Sequence, residues 1–243
     1  MARMTQPPCP PDEFTIDCDG ERLSAVRAGP PAARATAVLL HGAGTGSKDR
    51  LLPLLSAFAE QDRHALAFDF SGHGRSTGTL PELSLRRRFE QAVAVIDAHA
   101  GDGPLVLVGF SMSGQTVADL VRHYGRRVAS VGLAAPGVFA AAAWDVPFGD
   151  GTGRFTEILR TPDSWRDSPA LPALSAFDGR AVLVVPGTDT VIPAQVTEAV
   201  EEALCARARY SRFDLPDAEH KLGLWFRDHP EDARRLVAEL LTE

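Results

Sequence analysis

The feature that most constrains this chain is a series of short apolar runs, at residues 37–40, 65–70, 105–108, 128–134 and 181–185, each closed by a nearby glycine, aspartate or proline. Runs of this length without polar alternation suit strands covered on both faces, as parallel sheets require. Helical periodicity fills the intervals. It is clearest at 85–100, where Phe89, Val93 and Ile96 share a face, and at 113–124, which stops at Gly125. Further helical patterns lie at 194–206 and 230–241, the last opening on Pro230, Glu231 and Asp232. Near the start, 14–18 and 21–27 flank Asp19-Gly20, a favoured two-residue hairpin turn. This alternation predicts an α/β fold: a mostly parallel central sheet with an antiparallel N-terminal hairpin and helices on both faces. No internal repeat is visible.

Length and composition set the outer bounds. A chain of 243 residues suits one α/β domain over 13–243, preceded by a proline-rich, flexible tail at 1–12. With 44% hydrophobic and 23% charged residues, collagen, coiled coil and global disorder are poor fits. A net charge of −7 disfavours nucleic acid or an anionic membrane as the main partner. Cys9, Cys18 and Cys205 form no Cys-x-x-Cys pair, so the expectation is no metal, no disulfide framework and a reducing compartment. The N-terminus lacks a signal-peptide core, and the most apolar stretch, 128–144, is broken by Ser130, Gly132, Pro136 and Gly137. These features predict a cytoplasmic protein with no membrane partner; they do not bear on its oligomeric state. Segment 136–177 breaks the strand–helix alternation and mixes Phe139, Trp144, Phe148, Phe155 and Trp165 with glycine and proline. Its aromatic content favours a lid insertion over a disordered linker.

The sharpest local motif is Gly109-Phe110-Ser111-Met112-Ser113-Gly114, set between a buried strand and an amphipathic helix. That is the context of a nucleophile elbow, a strained turn that lifts a serine hydroxyl above the sheet. The elbow needs small residues on both sides of the serine; Gly109 is one, and Ser113 stands where glycine is usual. The first oxyanion donor of such an elbow is the N–H after the nucleophile, here Met112. The second comes from the loop after an earlier strand, where His41-Gly42-Ala43-Gly44 points to the N–H of Ala43. The rival reading of 42–48 as a phosphate loop fails on spacing, and Asp49 follows its lysine.

A serine nucleophile needs a base and the base an orienting carboxylate. Asp189 lies just past the end of the 181–185 strand, on the rim where active residues of open α/β sheets gather. Among seven histidines, His220 follows the strand expected at 209–215 and precedes the last helix, on the same rim. His41 reads as a structural residue of its loop. The chain order Ser111, Asp189, His220 is the order of the elbow architecture.

With these residues in place, the chain resembles the α/β-hydrolases over almost its whole length. The matching elements are 41–44, the Asp69-Phe70-Ser71-Gly72-His73-Gly74-Arg75-Ser76 loop, the elbow, Gly187-Thr188-Asp189 with Pro193, and His220. Within the family it is similar to small bacterial esterases of the cinnamoyl/feruloyl esterase and serine-aminopeptidase-like group. Ser111 departs from the aspartate of haloalkane dehalogenases and epoxide hydrolases, and from the cysteine of dienelactone hydrolases. The expected activity is hydrolysis of a small-molecule carboxylic ester or thioester, with no cofactor. Another reaction on the same triad (peptide, lactone or carbon–carbon cleavage, or acyl transfer or cyclisation) and a non-catalytic ligand-binding role stay open. Phe139, Trp144, Phe148 and Trp165 either line the substrate pocket or form the insertion's own small core. Arg86, Arg87 and Arg88 read as a solvated helix face, and no basic cluster marks a phosphate-bearing substrate such as a coenzyme A ester.

Overall fold

The computed structural model describes residues 11–31, 33 and 35–242. Most of the proline-rich tail, with Cys9, lies outside the described residues, and Asp12, expected in that tail, opens the first strand. The strands are β1 (Asp12–Cys18), β2 (Glu21–Ala28), β3 (Thr36–Leu40), β4 (His64–Phe68), β5 (Leu105–Phe110), β6 (Val128–Ala134), β7 (Arg180–Pro186) and β8 (Arg209–Leu215). The helices are α1 (Leu52–Glu60), α2 (Leu85–His99), α3 (Ser113–Tyr124), α4 (Arg154–Arg160), α5 (Ala170–Ala176), α6 (Ala194–Cys205), α7 (Leu222–Asp228) and α8 (Pro230–Leu240). One sheet holds every strand in the order β1-β2-β4-β3-β5-β6-β7-β8. The β1–β2 hairpin and the β2–β4 pair are antiparallel; from β4 to β8 neighbours run parallel. Asp19 and Gly20 both have positive φ, 48° and 79°, which is why Asp-Gly closes the hairpin.

Strand periodicity divides the core between the two faces. Val38, Leu40, Leu105 and Leu107 meet Val95 and Ile96 of α2, Val117 and Leu120 of α3 and Val200 of α6. Ala37, Leu39, Val106 and Val108 meet Leu54 and Phe58 of α1, Phe226 of α7 and Leu236 of α8. β3, β4 and β5 are buried at every position, as apolar runs without alternation require, whereas the edge strand β1 alternates.

β4 is offset from the apolar run that announced it. His64 joins the strand, and Asp69 and Phe70 leave it. Asp69 leaves because its carboxylate has other partners: Oδ1 accepts the Lys48 N–H (2.6 Å) and Oδ2 that of Arg75 (3.1 Å). The fully buried Lys48 ammonium stands 3.7 Å from the same carboxylate. Gly74 (φ 50°) is obligatory here, since a Cβ would sit 2.1 Å from Asp69 Oδ2. The first part of the 69–76 loop, with Asp69, Phe70, Ser71 and His73 buried, is therefore a brace beneath the rim, while Gly74 and Arg75 are exposed. Helices α1, α4, α5 and α7 carry short patterns that the sequence reading did not separate from loop. No helix among the described residues is long and apolar enough to cross a membrane.

Candidate active site

Ser111 sits between β5 and α3 with φ 51°, a left-handed conformation that costs a non-glycine residue on the order of 1 kcal/mol or more. The turn is held from several sides. Ser111 N–H donates to the Ala134 carbonyl (2.9 Å), and its own carbonyl accepts from Gly114 (2.8 Å) and Gly137 (2.9 Å). Gly109 meets the small-residue requirement strictly, because a Cβ there would lie 2.6 Å from the Ser113 carbonyl.

The candidate residues converge on this turn. His220 Nε2 lies 2.9 Å from Ser111 Oγ, and His220 Nδ1 lies 2.8 Å from Asp189 Oδ2. Asp189 is itself fixed, since its Oδ1 accepts from the Val191 (2.7 Å) and Ile192 (3.2 Å) amides. The carboxylate holds the imidazole with a proton on Nδ1, which leaves Nε2 as a hydrogen-bond acceptor facing Ser111 Oγ.

The candidate oxyanion loop is held by His41. Phe70 N–H donates to His41 Nε2 (3.1 Å), so the ring proton is on Nδ1, which donates to the Gly42 carbonyl (2.6 Å). Because a trans peptide opposes its C=O and N–H, holding the Gly42 carbonyl aims the Ala43 N–H the other way. Among the described residues, neither the Ala43 nor the Met112 N–H has a protein acceptor. Burial, reinforced by the nearby Arg88 charge, keeps the His41 pKa well below its ordinary value, so this brace does not protonate at neutral pH. Gly42 packs against Ser111; a Cβ there would lie 3.1 Å from Ser111 Cβ.

Two expectations are corrected here. Ser113 is more than a tolerated small residue: its Oγ donates to the His41 carbonyl (2.7 Å) and accepts from Arg88 Nη2 (2.8 Å). Arg88 is not part of a solvated face. Arg86 pairs with Asp145 and Arg87 with Asp19 and Glu21, but Arg88 is fully buried. Its Nη2 also donates to the His41 carbonyl (2.7 Å), its guanidinium stacks 3.8 Å from the Phe70 ring centroid, and no carboxylate among the described residues pairs with it. Burial lowers its pKa to about 9, which leaves it charged at neutral pH.

Two cavities open beside Ser111 and His220. The larger, about 600 Å³, is mostly apolar and is walled by Val138, Phe139, Ile158, Trp165, Ile192 and Val196 among others. Of the aromatic candidates, Phe139 and Trp165 line it, while Phe148 lines a neighbouring recess with Met112 and packs on Phe155 (4.6 Å between ring centroids). Trp144 lines neither cavity and packs 5.8 Å from Phe89, against α2. The sequence reading missed the aliphatic lining at Ile158, Ile192 and Val196, which come from separate elements. It also missed Gln115, whose Oε1 accepts from Phe139 N–H (3.1 Å) and Ser168 Oγ (3.0 Å), tying both ends of the 136–177 segment to α3.

The sheet order, the elbow and the rim placement of these side chains define an α/β-hydrolase. Residues 31–161 match the family described as serine aminopeptidase, S33, and the chain belongs to that hydrolase family. It is 31% identical over 115 residues to the uncharacterized protein YfhR of Escherichia coli (strain K12), a match spanning 45% of this chain and 40% of that protein. Solved structures share the fold at low identity. The thioesterase domain from the curacin biosynthetic pathway superposes with a TM-score of 0.71 at 16% identity, over 96% of this chain and 99% of that one. Est1E of Butyrivibrio proteoclasticus, solved with ferulic acid bound, has a TM-score of 0.71 at 15% identity, over 95% of this chain and all of its own (100%).

Proposed function

We propose that this hydrolase cleaves a carboxylic ester or thioester through Ser111, His220 and Asp189, by way of an acyl-enzyme. The observation that carries the reading is the continuous hydrogen-bonded line from Asp189 through His220 to Ser111 Oγ, at 2.8 and 2.9 Å. His220 takes the Ser111 proton as Oγ attacks the carbonyl carbon. Asp189 stabilises the imidazolium, and the Ala43 and Met112 amides hold the oxyanion; one such donor contributes about 3–4 kcal/mol. His220 then protonates the departing oxygen or sulfur, and water repeats the sequence on the acyl-enzyme. The 136–177 segment serves as the lid over an apolar acyl site, with Phe139 and Trp165 on its inner wall. Among the described lining residues of both cavities there is no aspartate or glutamate to receive an ammonium, which favours esters over peptides with a free N-terminus.

The test is intact-mass analysis after exposure to a fluorophosphonate. Wild type should gain one adduct mapping to Ser111, Ser111→Ala none, and His220→Ala should label far more slowly. A folded wild type that stays unlabelled would mean that the hydroxyl is not activated, and a ligand-binding role for the fold would take over.

A further inference from the structure

The smaller cavity beside Ser111, about 140 Å³, differs from the larger one in charge. It runs between the oxyanion loop and the start of α7, and its wall includes Thr45, Arg50, Phe110, Lys221 and Leu222. Arg50 and Lys221 lie far apart in the chain, so their meeting at one mouth is a product of the fold and no sequence cluster announces it. Arg50 is oriented, its Nη2 donating to Thr45 Oγ1 at 3.1 Å. α7 packs closely on it: a Cβ on Gly223 would lie 3.0 Å from Arg50 Cβ. The adjacent acid, Asp49, is turned to Lys48 (3.1 Å) and Arg75 (3.8 Å), away from the Arg50 charge. The cavity lining thus includes two cationic residues and, among the described residues, no carboxylate, in a chain whose net charge is −7.

Reaction geometry says what belongs there. The tetrahedral carbon on Ser111 Oγ directs its oxyanion toward the Ala43 and Met112 amides, and its acyl and leaving groups must occupy the two cavities. The apolar volume of the larger suits an acyl chain. The smaller is walled by His220 and the three residues that follow it, beside the Nε2 that must hand its proton to the departing atom. We propose that the smaller cavity is the leaving-group subsite and that Arg50, assisted by Lys221, selects an alcohol or thiol carrying a carboxylate. The guanidinium fork matches a planar carboxylate, and a small cavity limits the partner to a short hydroxy or mercapto acid. On cleavage the bond from the acyl carbon to oxygen or sulfur breaks, the His220 proton passes to that atom, and the anionic acid is released. This assignment rests on the ester hydrolase reading.

The experiment measures kcat/KM on two matched ester pairs. Butyryl glycolate against butyryl glycolamide places the charge on the leaving side. Monoethyl succinate against ethyl succinamate places it on the acyl side. Wild type should favour the charged member of the first pair by about tenfold, the scale of one charge-assisted hydrogen bond, and show no such preference in the second. Raising the salt should shrink the preference as the cations are screened. Arg50→Gln should pull the charged-to-neutral ratio of the first pair toward unity, and Arg50→Glu should invert it. If Arg50→Glu does not fold, Lys221→Glu carries the same arm and should lower that ratio. Equal rates on the glycolyl pair, or a preference confined to the succinyl pair, would overturn the subsite. A protein that turns over none of these esters, nor p-nitrophenyl butyrate, and resists the fluorophosphonate would instead sink the hydrolase reading, so the two failures are distinct.

Discussion

The oxyanion side of the rim and the 136–177 segment both border Ser111, yet they are built on different terms. On the oxyanion side the polar groups are buried and mutually bonded: His41, Asp69, Arg88 and Ser113 each have 2% exposure or less. Each also contacts a neighbour that it fixes, His41 the Gly42 carbonyl and Ser113 the His41 carbonyl. The segment across the rim is made of short helices without side-chain caps. α4 follows Gly153 (φ 73°), and the 3-10 turn Ser164–Asp167 follows Asp163 (φ 59°). Many of its side-chain bonds are local, such as Thr152 to Asp150 (2.7 Å), and it is tied to the body at separate points: Gln115, the Arg86–Asp145 pair (2.9 Å), and the Phe148 and Gly149 amides, which donate to the Leu83 (2.8 Å) and Pro81 (3.0 Å) carbonyls. The contrast follows from what each side must supply. Donors to a developing charge must be in place before the reaction, within tenths of an ångström, whereas an apolar wall need only have the right shape. Chemistry and selectivity are thus separable here, and variants can test the separation from either side.

The largest effect should come from removing the groups both sides serve. Ser111→Ala and His220→Ala should each lower kcat toward background, by about 10⁶ in a comparable triad, measured on any ester the wild type turns over. Next come the fixed-side variants. Ser113→Ala removes one of two donors to the His41 carbonyl and Arg88→Met removes the other, so kcat should fall about 10- to 100-fold while KM stays nearly constant. Affinity for a trifluoromethyl ketone should fall in step with kcat. Exchanging a buried unneutralised cation for an apolar side chain leaves stability within about 1–2 kcal/mol, so a kcat loss without a matching drop in Tm separates positioning from scaffold damage. A fall in KM and Tm with kcat intact would break the distinction drawn above.

On the adaptable side, Trp165→Ala should change kcat by less than about tenfold while moving the preferred acyl chain to greater length, read from a series of p-nitrophenyl esters. The smallest effect concerns the anchor of that side. Burial raises the Asp119 carboxyl to about 6, against the opposing pulls of the Gln115 hydrogen bond and Arg122. A carboxyl held above its unfolded value binds its proton more tightly when folded, so the contribution of Asp119 to stability is fully present below about pH 4 and is lost as pH rises through about 6. Asp119→Asn keeps an acceptor for Gln115 Nε2 (3.1 Å in wild type) and should remove that decline, adding about 1–3 kcal/mol at pH 7 in urea unfolding.

How much of this was legible in the sequence tracks how local each signal is. The sheet was readable because apolar runs and the Asp19-Gly20 turn each act within a few residues. The rim candidates were readable because strand ends can be located, and Ser111, Asp189 and His220 each follow one. What stayed hidden depends on packing between distant segments. Arg88 belongs to a run of arginines whose neighbours are exposed or ion-paired, and only the helix's rotation turns it inward beneath His41. Ser113 looked like a substitution for glycine because its partner lies 72 residues away. Trp144 and Trp165 are equivalent in composition, and which of them faces the cavity depends on how the short helices fold back.

Ser111 has a further consequence. Its φ of 51° suits glycine, and a glycine at that turn would relieve the backbone of the strain that a serine must bear. Selection for thermal persistence alone would therefore push this position toward the one residue with no hydroxyl. The most informative backbone angle in the molecule is the one where folding and chemistry ask for different amino acids, and the chain's remaining stability must be large enough to leave that disagreement unresolved in favour of serine.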